Sequence, residues 1–215
     1  MMKRNWTREE LIKWEKGIAD LFEQGKINAP VHLSGGNENE LISIFDSIED
    51  QDYVLSGHRN HYHYLLKGGD PDLLKDEILG LPTGICKGKG RSMHVYDASI
   101  NFYTSGIVGG MCAVAVGIGL AVKKKATTKG GLSNPHVWCF VGDGGEDTGH
   151  YVEAVRYADG RELPVTFVVE DNDLAVESSK EDRWKNHIQV QGMSVFRYKY
   201  ERKWPHVGVG KFVSM

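Results

Sequence analysis

Apolar positions recur along this chain at two different spacings. In "MMKRNWTREELIKWEKGIADLFEQGK", Leu11, Trp14, Ile18, Leu21 and Phe22 return every three or four residues, which places them on one face of a helix. Thr7, with Glu10 three residues later, supplies a capping box at its start. The same pattern predicts helices over 8–24, 38–48, 71–79, 107–124 and 149–159, and strands over 52–56, 137–142, 165–170 and 194–200. Two strands, "VWCFV" and "VTFVV", are apolar without alternation, as strands are when helices cover both faces of their sheet. In the last strand Val195, Arg197 and Lys199 alternate with Phe196, Tyr198 and Tyr200, which gives one hydrophobic face.

Only Arg161-Glu162-Leu163-Pro164 separates the helix at 149–159 from the strand that follows, the βαβ pattern of a parallel sheet. The expected fold is therefore α/β, a three-layer parallel sheet with helices on both faces. A chain of 215 residues is long enough for one good core, so one domain with an N-terminal helical extension is expected. Two irregular stretches, 57–70 and 80–106, are rich in His, Gly and Arg, and irregular stretches of that length are usually functional. "KKKATTKGGLSNP" reads as a polar surface linker.

Composition removes several function classes. The net charge of −3, with Lys and Arg scattered, leaves no basic field for nucleic acid. The N-terminal segment has neither the apolar core nor the small-residue cleavage site of a signal peptide. "GIVGGMCAVAVGIGLAVKKK" has about the length of a membrane span, yet its glycines and closing lysines make it a buried helix, and no membrane is expected. Cys86, Cys112 and Cys139 form no even set of bridges and no CxxC pair. Cys112 and Cys139 read as buried free thiols, and the expected compartment is reducing and cytoplasmic.

The chemistry concentrates in "CFVGDGGEDTGH". A glycine-rich turn after a strand brings backbone N–H groups to a phosphate at a helix start, but this turn carries Asp143, Glu146 and Asp147. Either no phosphate binds, or a cation lies between it and the carboxylates. A divalent ion held by hard oxygens would resolve the conflict, with Asp143 as one ligand. The next strand ends in Glu170-Asp171-Asn172-Asp173, where Asn172 offers a second oxygen at the same carboxyl edge of the sheet. Glu146 and Asp147 read as a solvated helix start, favourable with the helix dipole.

"GDG" followed by Asn172 is similar to the signature of thiamine-diphosphate enzymes. "HLSGGNE" at 32–38, "GHRNHYHYLLKG" at 57–68, "GKGRSMH" at 88–94 and "SGIVGG" at 105–110 resemble, in that order, blocks of one family. That family is the alpha subunit of the first component of 2-oxo acid dehydrogenases, of the pyruvate and acetoin dehydrogenase type. The resemblance covers roughly residues 8 to 180. It implies a diphosphate-binding fold, thiamine diphosphate and Mg2+ as cofactors, and a small 2-oxo acid as substrate.

Residue by residue, the resemblance assigns Mg2+ to Asp143, Asn172 and the main-chain carbonyl of Leu174, where an aromatic residue is usual. It assigns the diphosphate to Arg59 and to Gly142, Gly144 and Gly145, and contacts with the aminopyrimidine to Gly106 and Val108. His58 stands where a tyrosine is typical for a cofactor contact. His32 and His61 match histidines at the substrate end, where they would serve as proton or hydrogen-bond donors. His94 joins them, while His63 and His150 read as structural. Ylide formation in the family depends on a glutamate of a separate beta subunit, so the implied partner is a beta-type chain carrying the pyrimidine-binding domain. An alpha2beta2 assembly and a lipoyl acyltransferase core are further implied partners.

The resemblance weakens after Asn186. Residues 187–215 diverge, and "RKWPHVGVG" would replace a second family loop with His206 as its histidine. Two other readings stand beside the leading one. One is a transketolase-like N-terminal half, against which "GKGRSMH" and "HLSGGNE" argue. The other is a non-catalytic assembly subunit that keeps the cofactor cradle.

Overall fold

The computed structural model describes residues 5–129 and 134–211. In chain order the elements are helices α1 (Arg8–Glu23) and α2 (Glu38–Asp46), strand β1 (Tyr53–Ser56), helices α3 (His61–Leu66) and α4 (Pro71–Leu79), and strands β2 (Tyr96–Asp97) and β3 (Phe102–Thr104), with one 3-10 turn at Ala98–Ile100 between them. Then come helix α5 (Gly110–Lys129), strand β4 (Val137–Gly142), helices α6 (Asp143–Glu146) and α7 (Gly149–Gly160), strand β5 (Val165–Asp171), the short strands β6 (Leu174–Ala175) and β7 (Ser178–Ser179), helix α8 (Lys180–Arg183) and strand β8 (Val195–Lys199). The chain folds as two compact units, Met1–Asp50 with His58–Gly106 and Glu201–Met215, and Gln51–Gly57 with Ile107–Tyr200.

The second unit is the α/β part. Strands β1, β4, β5 and β8 lie in that order and all run parallel. The apolar strands β4 and β5 are neighbours, buried along nearly their whole length, which is why neither alternates. Helix α5 packs on α7, β4 and β5. It is longer than the sequence pattern predicts, because "KKKATTK" continues the helix to Lys129 and is not a linker. Residues 130–133 of the expected linker lie outside the described residues. No described helix is long and apolar enough to cross a membrane.

Strand β8 departs from expectation in its orientation. Phe196 is 48% exposed, so the alternating aromatic residues do not form a buried face. Arg197, from the other face, forms a two-pronged ion pair with the buried carboxylate of Glu146. A forked guanidinium matches a carboxylate geometrically, and that match, with the helix start it secures, decides which face turns inward.

In the first unit α1 begins as the sequence dictates, with Thr7 and Glu10 capping each other and Leu11, Ile18 and Phe22 buried. The same stripe carries Glu15, which is fully buried. Helix α3 was not visible in the pattern, because all six of its residues are buried and none marks a polar face. Strands β2 and β3 form a small antiparallel pair inside the stretch expected to be irregular.

Candidate functional site

In the second unit a site is built at the carboxyl ends of β4 and β5. Their parallel register sets Gly142 opposite Glu170, so the residues that follow, Asp143 on one side and Asp171 and Asn172 on the other, leave the sheet side by side. Asp143 opens α6 and is only 1% exposed. A Cβ on Gly144 would meet the Ala175 Cβ at 2.7 Å, so this position admits no side chain as β6 passes over the turn. A Cβ on Gly145 would meet Val141 Cγ1 at 2.7 Å and lie near Val108 and the Gly109 amide. Gly142 faces open space, and Val108 is exposed. Leu174 starts β6, opposite Ser179 of β7.

Two cations from the next segment reach this corner. Lys180 Nζ donates to Asp171 Oδ1. Arg183 lies 3.5 Å from Asp143 Oδ2 and 3.2 Å from Asp147 Oδ2. Burial raises the Asp143 carboxyl above its ordinary range and Asp171 pushes the same way, while Lys180 and Arg183 pull it down. For Asp171 burial also opposes ionisation, but the bonds from Lys180 and the Asp173 amide outweigh it and hold the group below its usual value.

Three buried polar atoms here make no hydrogen bond: Asp143 Oδ2, Asp171 Oδ2 and Arg183 Nη2. They are held by ion pairs alone, Arg183 Nη2 at 3.5 Å from Asp143 Oδ2 and 3.2 Å from Asp147 Oδ2, and Arg197 Nη1 at 3.8 Å from Asp171 Oδ2. Buried polar atoms nearly always make hydrogen bonds, so charges of both signs that lack them in one corner leave capacity for a ligand that carries both signs. Asn172 is turned for such a role. Its amide donates to Tyr200 Oη at 2.9 Å, while its Oδ1 accepts the Leu174 amide at 3.0 Å and, among the described residues, no other donor, so a second lone pair remains.

The expectation of a solvated Glu146-Asp147 pair is corrected. Glu146 is buried on Arg197, and Asp147 accepts bonds from Arg183 Nε, Trp184 Nε1 and His187 Nε2. Both carboxylates are structural anchors, because a buried charge persists only where it is paired. The helix dipole is served instead by Thr148, the N-cap of α7, which accepts from the Tyr151 amide.

The first unit gathers the histidines. His32, His58 and His206 come from three separate segments, and their ring centroids stand 4.8 to 5.4 Å apart. His32 Nδ1 donates to the His206 carbonyl at 2.7 Å, which leaves Nε2 as the lone-pair nitrogen of the neutral ring. Burial lowers His32 to about 4 and His58 to about 3, with Arg59 adding to both shifts. Arg59 donates to the carbonyls of Leu33 and His206. His61 is fully buried, bonded through Nε2 to Ser92 Oγ at 2.9 Å, and burial lowers it to about 3. His94 is exposed, and its Nε2 and the Met93 Sδ lie 3.4 and 3.2 Å from where a Gly106 Cβ would be. His63 stacks on Phe45 inside the unit, and His150 lies on the surface.

Four residues that shape these sites were not singled out from sequence: Glu15, Glu77, Lys180 and Arg183. Glu77 accepts the amides of Cys86, Gly88, Gly90 and Arg91 at 2.7 to 3.2 Å, which shapes the loop carrying "GKGRSMH". Glu15 accepts from the Ser34 amide, Tyr62 Oη at 2.9 Å and Trp204 Nε1 at 3.0 Å, which fixes "HLSGGNE". Both are carboxylates on the apolar stripe of a helix, and that is the signal that finds them. Lys180 and Arg183 lie on a four-residue helix and leave no comparable mark.

Comparison with known proteins identifies a family. The family described as dehydrogenase E1 component matches residues 8–194. The alpha subunit of acetoin:2,6-dichlorophenolindophenol oxidoreductase from Bacillus subtilis (strain 168) is 37% identical over 174 residues, covering 79% of this chain and 50% of that protein. The pyruvate dehydrogenase E1 component subunit alpha of Rickettsia felis is 32% identical over 185 residues, covering 80% of this chain and 55% of that protein. The chain thus spans about half the length of these relatives. A transketolase from Campylobacter jejuni shares the fold, with a TM-score of 0.60 at 17% identity, over 84% of this chain and 31% of that one. With the parallel sheet, the glycine turn at Asp143 and a match that runs from α1 to the start of β8, this chain belongs to the dehydrogenase E1 component family.

Proposed function

We propose that the chain is the alpha-type part of a thiamine-diphosphate- and Mg2+-dependent dehydrogenase that decarboxylates a small 2-oxo acid such as pyruvate, together with a beta-type partner. The observation that supports this reading is the buried corner where Asp143 Oδ2, Asp171 Oδ2 and Arg183 Nη2 stand in ion pairs of 3.2 to 3.8 Å yet make no hydrogen bond. A Mg2+–diphosphate pair satisfies both signs at once, since the carboxylate takes the cation and the guanidinium takes a phosphate oxygen.

In this reading Asp143, the side-chain oxygen of Asn172 and the carbonyl of Leu174 hold Mg2+, and water and diphosphate oxygens complete its octahedron. Gly144 and Gly145 would let the backbone approach the phosphates, and the positive N-terminal end of α7, which begins at Gly149, is assigned to the same anion. When bound, thiamine diphosphate supplies the electron sink for loss of carbon dioxide from a 2-oxo acid. In the first unit we assign His32, His61, His94 and His206 to the 2-oxo acid, and Arg59, His58 and Gly106 to the cofactor. Burial holds His32 and His61 neutral at pH 7. With its Nδ1 hydrogen on the His206 carbonyl, His32 offers Nε2 as an acceptor, so it serves as a base and not as a donor.

The names of the relatives support an alpha subunit acting on acetoin or pyruvate. A beta-type chain with the pyrimidine-binding domain, an alpha2beta2 assembly and delivery to a lipoyl acyltransferase core complete the proposal. The test is co-expression with a beta-type chain, followed by assay of carbon dioxide release from pyruvate and other small 2-oxo acids. Release that needs both chains and Mg2+ is the expected result. An assembled pair with cofactor bound and no release from any 2-oxo acid would overturn it.

A further inference from the structure

We propose that His32, His58 and His206 form a binding site for a zinc-class divalent ion, with three imidazole ligands and a fourth position open to water or a small anion. One ligand nitrogen from each ring lies within 4.8 Å of the other two, a convergence that no other three His, Cys, Asp or Glu side chains show among the described residues. The ring centroids are 4.9 Å apart for His32 and His58, 4.8 Å for His32 and His206, and 5.4 Å for His58 and His206. Three imidazoles on one tetrahedral ion, with metal–nitrogen bonds of about 2.0–2.1 Å, hold their centroids about 5 Å apart. Edge-to-face packing accounts for the angles of the two pairs that His32 makes, but it does not require the ring nitrogens to converge.

The protonation pattern also suits a metal. The Nδ1–H of His32 is held by the His206 carbonyl, an outer bond of the kind that fixes the tautomer and aims Nε2 at an ion. Burial keeps His32 and His58 neutral at pH 7, and a neutral imidazole is the ligand form. Three neutral ligands leave the whole charge of a dication uncompensated, and Arg59 acts on the rings of His32 and His58 while Arg202 acts on that of His58. At the fourth position an anion, hydroxide from the bound water or a small carboxylate, is therefore preferred to neutral water, since these arginines favour it as much as they disfavour the bare ion. This goes beyond the cofactor reading, and one consequence links the two. The Nε2 lone pair of His32 cannot serve a metal and a substrate together, so Zn2+ is expected to depress turnover.

The experiment is a titration of the chelator-stripped chain with Zn2+ against a chromophoric indicator, with no thiamine diphosphate present. Its outcome is thus separate from the cofactor reading. One equivalent of Zn2+ is expected to bind, and His58→Phe and His206→Phe are each expected to weaken it by at least about 100-fold. Asp143→Ala should leave it unchanged. X-ray absorption on the unsubstituted chain covers the case of a variant that fails to fold, with a first shell of three imidazole nitrogens at about 2.0–2.1 Å expected. Absence of a one-equivalent site, equal binding by His58→Phe, loss in Asp143→Ala, or a shell of oxygen or sulfur would each overturn the proposal.

Discussion

Glu15 shows how much a single buried residue organises here. Its carboxyl is raised to about 7 by burial, against the bonds from Ser34, Tyr62 and Trp204, and the Glu38 carboxylate adds to the rise. The unfolded chain releases this proton near 4.5, whereas the folded chain keeps it to about 7. The folded state therefore binds more protons in that window, and stability falls as pH rises through it. The shift corresponds to about 3 kcal/mol, complete by about pH 7 and absent below about pH 4.5. The buried histidines work oppositely. His32, His58 and His61 have lowered values, so their contribution is present above pH 6.5 and is lost as pH falls toward about 3 to 4. Comparing Glu15→Gln with the unsubstituted chain isolates the first effect. Denaturant midpoints should converge at pH 5 and diverge by pH 8 in favour of the amide, and a pH-independent difference would refute the assignment.

At the scale of elements, the loop after α4 depends on one carboxylate. Glu77 binds four amides of residues 86–91, so Glu77→Ala leaves buried donors without acceptors. A cost of about 3–5 kcal/mol is expected, read as a shift in denaturant midpoint, with the largest gain in amide exchange at those residues. The α6–α7 corner depends on Gly109. Its φ is +71°, and a Cβ there would lie 2.4 Å from the Oγ1 of Thr148, the cap of α7. Gly109→Ala should cost about 2 kcal/mol, from strain together with the disturbed cap, and thermal melting reads it. Legibility divides along the same line. Elements with a period or a cap, such as α1, α4, α7, β4 and β5, stand in the structure close to where the pattern predicts them. The pattern is silent on α3, buried on every side, and on the short β6, β7 and α8, whose positions come from pairing with distant residues. The acid corner was legible from "GDG" and "EDND" because two parallel strands must deliver their ends together. Its cations were not, since Lys180 and Arg183 have no spacing that chemistry requires. The burial of Glu146 leaves no local mark in the sequence, because its partner, Arg197, lies fifty-one residues away.

At the scale of the molecule, the family membership and the acid corner carry the account together. The chain spans about half the length of its relatives, and a beta-type partner is the proposed source of the remaining groups. The claim that can stand or fall on this chain is that a divalent cation at Asp143 makes the corner hospitable to a diphosphate. Calorimetric titration with thiamine diphosphate, in Mg2+ and in chelator, tests it most directly. Heat of binding is expected in Mg2+, none in chelator, and none with Asp143→Ala. Tight binding by metal-free Asp143→Ala protein, equal to that of the unsubstituted chain with Mg2+, would contradict it.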